Sequence, residues 1–221
     1  MSGGQLTAVL LAVAGASTAA AGLPGLVARF APLEGQAPRL AVPSRTLCVA
    51  LTAVLVAPTA LRLRAEPSWL PAYAYLVVAG VLLALVDLRV HRLPDPVTLP
   101  SCLVLAGLLG LAALLGGAPG AWPRALLAGL TAAAVFGALW ALPTGLGLGD
   151  VKTAGLLGIA LGWFGWERLL EGFLLGMVLG GLGALTLLAT RRVGRGEEIA
   201  YGPYLLAGAL LAILLAPPGG P

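Results

Sequence analysis

Charge is scarce in this chain. Of 221 residues, 13 are Lys or Arg and 9 are Asp or Glu, 10% in all, against roughly 25% in a soluble domain. That is too little polar surface to cover a water-soluble globule of this length, and a disordered chain needs more charge still. Cysteine is scarce too. Cys48 and Cys102 are the only two, both in apolar stretches, with no CxxC and no Cys/His cluster. This excludes a disulfide scaffold and a zinc site, and no metal or cofactor is expected. His91 is the one histidine. The net charge of +4 is scattered through short loops, so no run is dense enough for a nucleic-acid surface.

What is abundant is apolar. Hydrophobic residues make up 59% of the chain, and mean hydropathy is +0.99. Charge-free stretches run over 1–28, 46–61, 67–86, 96–123, 125–149, 153–166, 172–190 and 199–221. A membrane-crossing helix needs about 20 apolar residues. Most stretches reach that length. The two short ones, 46–61 and 153–166, must borrow flanking residues, the second starting near Asp150. The expected fold is therefore all-α, a polytopic integral membrane protein of about eight transmembrane helices, with membrane lipids as its surroundings. Ala-Ser-Thr-Ala-Ala-Ala at 16–21 mimics a signal-peptide cleavage site, but no basic segment precedes it, so the first stretch reads as a helix.

The basic residues orient the bundle. If the stretch 67–86 ends in the cytoplasm, nine basic residues fall on that side: Arg29, Arg39, Arg45, Arg89, Arg92, Lys152, Arg191, Arg192 and Arg195. Four fall outside: Arg62, Arg64, Arg124 and Arg168. The positive-inside rule favours this orientation, with both ends of the chain outside. Trp69, Trp122, Trp140, Trp163 and Trp166 all lie near expected helix ends, as an interfacial aromatic belt requires. Gly172, Gly176, Gly180 and Ala184, at a spacing of four, predict a face for close helix packing.

Six of the nine acidic residues lie in evident loops, and Asp87, Asp95 and Asp150 remain. Asp87 closes an apolar run within a turn of Arg89. An ionisable side chain at that depth is costly and points to function, unless it pairs with Arg89 or Arg92. Asp150 closes Gly-Leu-Gly-Leu-Gly-Asp at 145–150. It reads either as a helix-start carboxylate or as part of a site where the glycines admit another backbone closely. Two helices separate the stretch ending at Asp87 from the one opening at Asp150, so both acids face the same side. Two carboxylates held close in low dielectric share one proton. The ionised one can take a proton from water while the protonated one polarises a carbonyl, the arrangement of an aspartic protease. Lys152 reads equally as a tuner of that pair or as a snorkelling lysine. Asp95, followed by Pro96, reads as a helix N-cap, and His91 as a solvated loop residue. A transporter or channel using the two acids as ion or proton sites is the alternative.

These residues carry a resemblance. Asp87-Leu-Arg-Val-His-Arg-Leu-Pro-Asp95, then Thr98-Leu-Pro100, then Gly147-Leu-Gly-Asp150-Val-Lys152, then Tyr201-Gly-Pro-Tyr204 resemble the motifs of the prepilin peptidases. These are type IV leader peptidases, membrane aspartyl proteases of the GxGD kind. The similarity runs over roughly residues 70–215. It implies that Asp87 and Asp150 are the catalytic pair. It also implies that Gly147, Gly149, Lys152, Pro94, Asp95, Gly202 and Pro203 support them or bind substrate. The implied substrates are prepilin or pseudopilin precursors, cut on the cytoplasmic side of a bacterial plasma membrane, where a short basic leader meets an apolar helix. Many members carry a cytoplasmic N-terminal domain with two Cys pairs, linked to N-methylation. Residues 1–66 read instead as transmembrane helices ahead of a peptidase core at 67–221, so a peptidase without methyltransferase activity is expected.

Overall fold

The computed structural model describes residues 2–30, 40–91, 93–116, 118–143, 146–190 and 200–216. Arg39, Arg92, Arg191, Arg192 and Arg195, counted above toward the cytoplasm, lie outside them, as does Gly145. The described residues form helices α1 (Gly3–Ala20), α2 (Leu23–Arg29), α3 (Arg45–Arg62), α4 (Leu70–Val90), α5 (Asp95–Gly116), α6 (Ala121–Trp140), α7 (Leu148–Gly162), α8 (Trp166–Ala189) and α9 (Gly202–Leu215), with no strand among them. Each charge-free stretch holds a helix. Six spans are long and apolar enough to cross a membrane, α1 and α2 together making the first. At 15 and 14 residues, α7 and α9 are shorter. The chain is a multi-pass, all-helical membrane protein.

The ends follow local chemistry. Ser2 caps α1, its hydroxyl accepting from Gln5 N–H while the Gln5 side chain accepts from Ser2 N–H. Ser44 caps α3 by accepting from Leu47 N–H. Both satisfy donors that a helix start leaves without partners. Pro71 and Pro203 sit in the first turns of α4 and α9, where a missing N–H costs nothing.

Helix α4 is the hub, touching α1, α2, α3, α5 and α9. Lipid is as apolar as leucine, so helices in a bilayer associate through close packing rather than through escape from water. Small residues supply that closeness. A Cβ on Gly158 of α7 would sit 2.8 Å from both the Ala128 carbonyl oxygen and Gly129 Cα of α6. A Cβ on Gly208 of α9 would sit 2.2 Å from the Gly176 nitrogen of α8. The expected glycine face is therefore real at Gly172, Gly176 and Gly180, which are buried. Further along α8, the Tyr201 ring covers Gly180 and the Tyr204 ring covers Gly183, where a Cβ would come within 2.5 and 2.3 Å of ring or hydroxyl atoms. These contacts fix the height at which α9 begins.

Two arginines close the opposite ends of the short helices. Arg124 donates to the carbonyls of Gly162 (3.0 Å) and Trp163 (2.6 Å) at the end of α7. Arg62 donates to the Ala216 carbonyl at the end of α9. A cation there is favoured by the negative end of the helix dipole. The aromatic belt is only partly present. Trp122, Trp140 and Trp166 are exposed, but Trp69 and Trp163 are buried. Their rings meet edge to face at 5.7 Å, and Trp69 also meets Phe164 at 5.7 Å. Nearness to a helix end placed all five at the interface; packing of α4 on the end of α7 draws two of them inside.

Candidate active site

Three helices start at one end of the bundle, around the last turn of α4. Asp87 lies on that last turn and is 5% exposed. Asp150 lies in the first turn of α7 and is 9% exposed. Both line one cavity of about 410 Å³, together with His91, Leu93, Asp95, Gly147, Gly149 and Lys152.

Each carboxylate is held by a backbone N–H from a helix start. Gly202, the first residue of α9, donates to Asp87 Oδ2 at 3.1 Å. Gly147, just before α7, donates to Asp150 Oδ2 at 3.0 Å. The Asp150 N–H in turn donates to the Gly147 carbonyl at 3.0 Å, so Asp150 does play the helix-start part while facing the cavity. For Asp87 the position is less comfortable. It sits near the negative end of α4, which disfavours a carboxylate, and the positive end of α9 offsets this, each effect on the order of 0.3–1 kcal/mol. The alternative reading, a pairing with Arg89, is not met among the described residues: Arg89 forms no ion pair with Asp87, and its Nε and Nη1 are buried without a hydrogen-bond partner. Arg92 lies outside the described residues.

The glycines of the motifs have distinct causes. A Cβ on Gly202 would lie 2.8 Å from Asp87 Oδ2. A Cβ on Gly149 would lie 2.7 Å from Leu93 Cβ, so this glycine lets the start of α7 press on the segment joining α4 to α5. Gly147 has no such crowding, its nearest contact being Asp150 Oδ2 at 3.7 Å. Its contribution is the N–H. Pro203 follows Gly202 within the first turn of α9.

Two assignments change. Asp95 is not an N-cap. It is the first helical residue of α5, and the Pro94 carbonyl accepts from Val97 and Thr98 N–H instead, both at 3.0 Å. The Asp95 carboxylate forms an ion pair with Lys152. Lys152 is accordingly not a free snorkelling lysine; it ties α7 to α5 across the rim of the cavity that Asp87 and Asp150 also line. His91 lies in the turn after α4, as a loop residue, and is partly exposed. It caps α4 in a left-handed conformation (φ 49°, ψ 40°), donating from its N–H to the Asp87 carbonyl at 2.7 Å, and lines the cavity. A non-glycine residue in that region is uncommon and marks a sharp turn held by its surroundings. Among the described residues, no three His, Cys, Asp or Glu side chains are grouped to hold a metal ion.

Fold and site together define a class: a multi-pass helical membrane protein with two helix-borne aspartates buried in a shared cavity. Residues 73–185, just over half of the chain, match the type IV leader peptidase family, and the chain belongs to that family. It is similar to a prepilin leader peptidase/N-methyltransferase of Aeromonas hydrophila, 33% identical over 171 residues, 74% of this chain and 56% of the relative. A protein of the same description from Aeromonas salmonicida (strain A449) is 33% identical over 175 residues, 76% of this chain and 56% of the relative. One from Pseudomonas putida is 40% identical over 70 residues, 32% of this chain and 23% of the relative. The chain thus spans little more than half the length of the two Aeromonas relatives. No solved structure matches it.

Proposed function

We propose that the chain is a membrane-embedded aspartic endopeptidase. Its substrates are prepilin-like or pseudopilin precursors, and it removes their short leader at the cytoplasmic face of a bacterial plasma membrane. The observation that carries this reading is the convergence of Asp87 and Asp150, from separate helices, on one cavity, each held by a helix-start N–H. Family membership supports the substrate class.

The chemistry runs through the pair. Each anchor engages Oδ2 and leaves Oδ1 to face water or a carbonyl. The ionised aspartate accepts a proton from water as the water oxygen bonds to the scissile carbonyl carbon. The protonated partner donates to the carbonyl oxygen, giving a neutral gem-diol. Collapse breaks the C–N bond: the amine takes a proton from one carboxyl while a gem-diol hydroxyl gives its proton to the other as the C=O re-forms, so the pair again holds one proton. A fixed pair supplies this without reorganising at the moment of reaction. Lys152 and Asp95 hold α7 against α5, and Gly147, Gly149, Gly202 and Pro94 set where the acids stand. We assign this chain peptide cleavage.

The test uses membranes holding the protein and a precursor with a basic leader ahead of an apolar helix. The intact protein cuts it once, and mass spectrometry of the product reads the cut site and any added methyl group. Asp87→Ala and Asp150→Ala each lower the rate by at least ~10²-fold, the low end for a general acid or base. Unchanged cutting after Asp150→Ala refutes the mechanism. Loss with Asp95→Asn but not with Asp87→Asn moves the first acid to Asp95. Ion flux in proteoliposomes without proteolysis refutes the peptidase in favour of a transporter.

A further inference from the structure

An apolar groove runs along the membrane-buried part of α4, between α3 and α9. Its free volume is about 200 Å³, room for inserted side chains rather than for a whole helix. On α4 the floor is Leu76, Gly80 and Ala84. The next residue on that face, three further on, is Asp87, which lines the acidic cavity. On α9 the groove begins at Pro203, the residue after the Gly202 that donates to Asp87. Groove and cavity therefore meet at the Asp87–Gly202 hydrogen bond. From Leu76 to Leu88 the groove follows α4 for about 18 Å, some three helical turns. Leu51 and Leu88, both groove residues, are 38% and 37% exposed, so the groove opens sideways.

We propose that this groove docks the apolar helix of the substrate, whose extended N-terminal end then enters the cavity at Asp87 and Asp150. The proposal rests on the peptidase reading above and adds where the substrate lies. The occupant is set by the two surfaces in series. A purely apolar groove leads into a cavity where Asp87, Asp95 and Asp150 face one lysine and one histidine. That sequence of surfaces complements a chain that is apolar on one side of the cut and cationic on the other. A phospholipid tail would also fit the groove. Its phosphate would then lie against the charge that the Asp87–Asp150 pair keeps after sharing one proton, Asp95 being paired with Lys152, a like-charge contact that costs free energy.

A photo-crosslinking residue at Leu51, in an Asp150→Ala background that retains uncut substrate, is expected to capture the substrate helix. The same residue at Leu114, 83% exposed on α5, is expected to capture lipid. Ala207, on the α9 wall, provides a second measurement. Ala207→Phe fills the groove and is expected to raise KM by ~10-fold or more with kcat unchanged, the effect of expelling one buried leucine-sized side chain. Capture of lipid alone from Leu51, equal capture of substrate from Leu114, or an unchanged KM for Ala207→Phe overturns the docking site. With the intact protein still cutting, such a result leaves the peptidase reading standing. If the intact protein cuts nothing, the peptidase reading itself fails, and capture from Leu51 would then no longer bear on catalysis.

Discussion

Gly202→Ala tests the geometry more sharply than removing an acid, because it leaves both carboxylates in place. The added Cβ would stand 2.8 Å from Asp87 Oδ2, 3.4 Å from Leu93 Cδ1 and 3.5 Å from Asp87 Cγ. A carbon and an oxygen rest at roughly 3.3 Å or beyond, so something must give by about 0.5 Å. Helix α9 cannot simply withdraw, since the rings of Tyr201 and Tyr204 are seated on Gly180 and Gly183. The Asp87 side chain is the softer partner. Moving it lengthens the Gly202 N–H bond from 3.1 Å past the useful range, at a cost of ~1.5–3 kcal/mol for a bond to a charged group. Misplacing a reacting group by 1 Å costs on the order of 10²-fold, so kcat should fall by ~10–100-fold. The assay is steady-state cleavage of a precursor in proteoliposomes, with a melting curve in detergent as the check on folding. Gly181→Ala is the control. Gly181 is exposed, with nothing within 4 Å of a Cβ, and alanine there should leave kcat unchanged while adding up to ~1 kcal/mol of helix stability. A folded Gly202→Ala protein with full kcat would refute the claim that this bond sets Asp87 for reaction.

Other expectations follow from the same structure. Asp95→Asn and Lys152→Met should each shift stability by no more than ~1 kcal/mol, because the pair is partly exposed, 58% and 24%; a double-mutant cycle with a coupling above ~2 kcal/mol would show a dry pair instead. Arg124→Met should lower the melting temperature, since two carbonyls at the end of α7 lose a charged donor worth ~1.5–3 kcal/mol per bond; an unchanged melt would mean lipid or water replaces it. Gly158→Leu should prevent a stable α6–α7 contact, seen as aggregation or loss of the cooperative melt, because backbone rather than a movable side chain lies 2.8 Å from its Cβ.

The sequence revealed the fold mainly through its gaps in charge. Eight uncharged stretches each hold a helix, and parity alone put Asp87 and Asp150 at one end of the bundle, before any contact was known. Where that reasoning failed, the cause was pairing across distance. Lys152 and Asp95 are 57 residues apart, and nothing local in either segment announces the other. Asp95-Pro96 is a sound helix-start signal, yet the cation on α7 claims the carboxylate and the helix starts on the Pro94 carbonyl. The tryptophans failed in the same way. Position along a helix located Trp69 and Trp163 near an interface but could not say that their rings would face each other. His91 reads as loop because it is a polar residue between arginines, and nothing local says that the turn after α4 lines the cavity.

The brevity of α7 has a consequence for where water must go. Fifteen residues rise about 22 Å, while the hydrocarbon layer is ~30 Å thick. Arg124 holds the carbonyls at the far end of this helix, so a bilayer of that thickness would leave the end that bears Asp150 several ångströms short of its boundary. On the peptidase reading, Asp150 would then stand in a recess below the lipid surface. A substrate peptide would have to shed its helical form on the way down, with solvent following through the same opening.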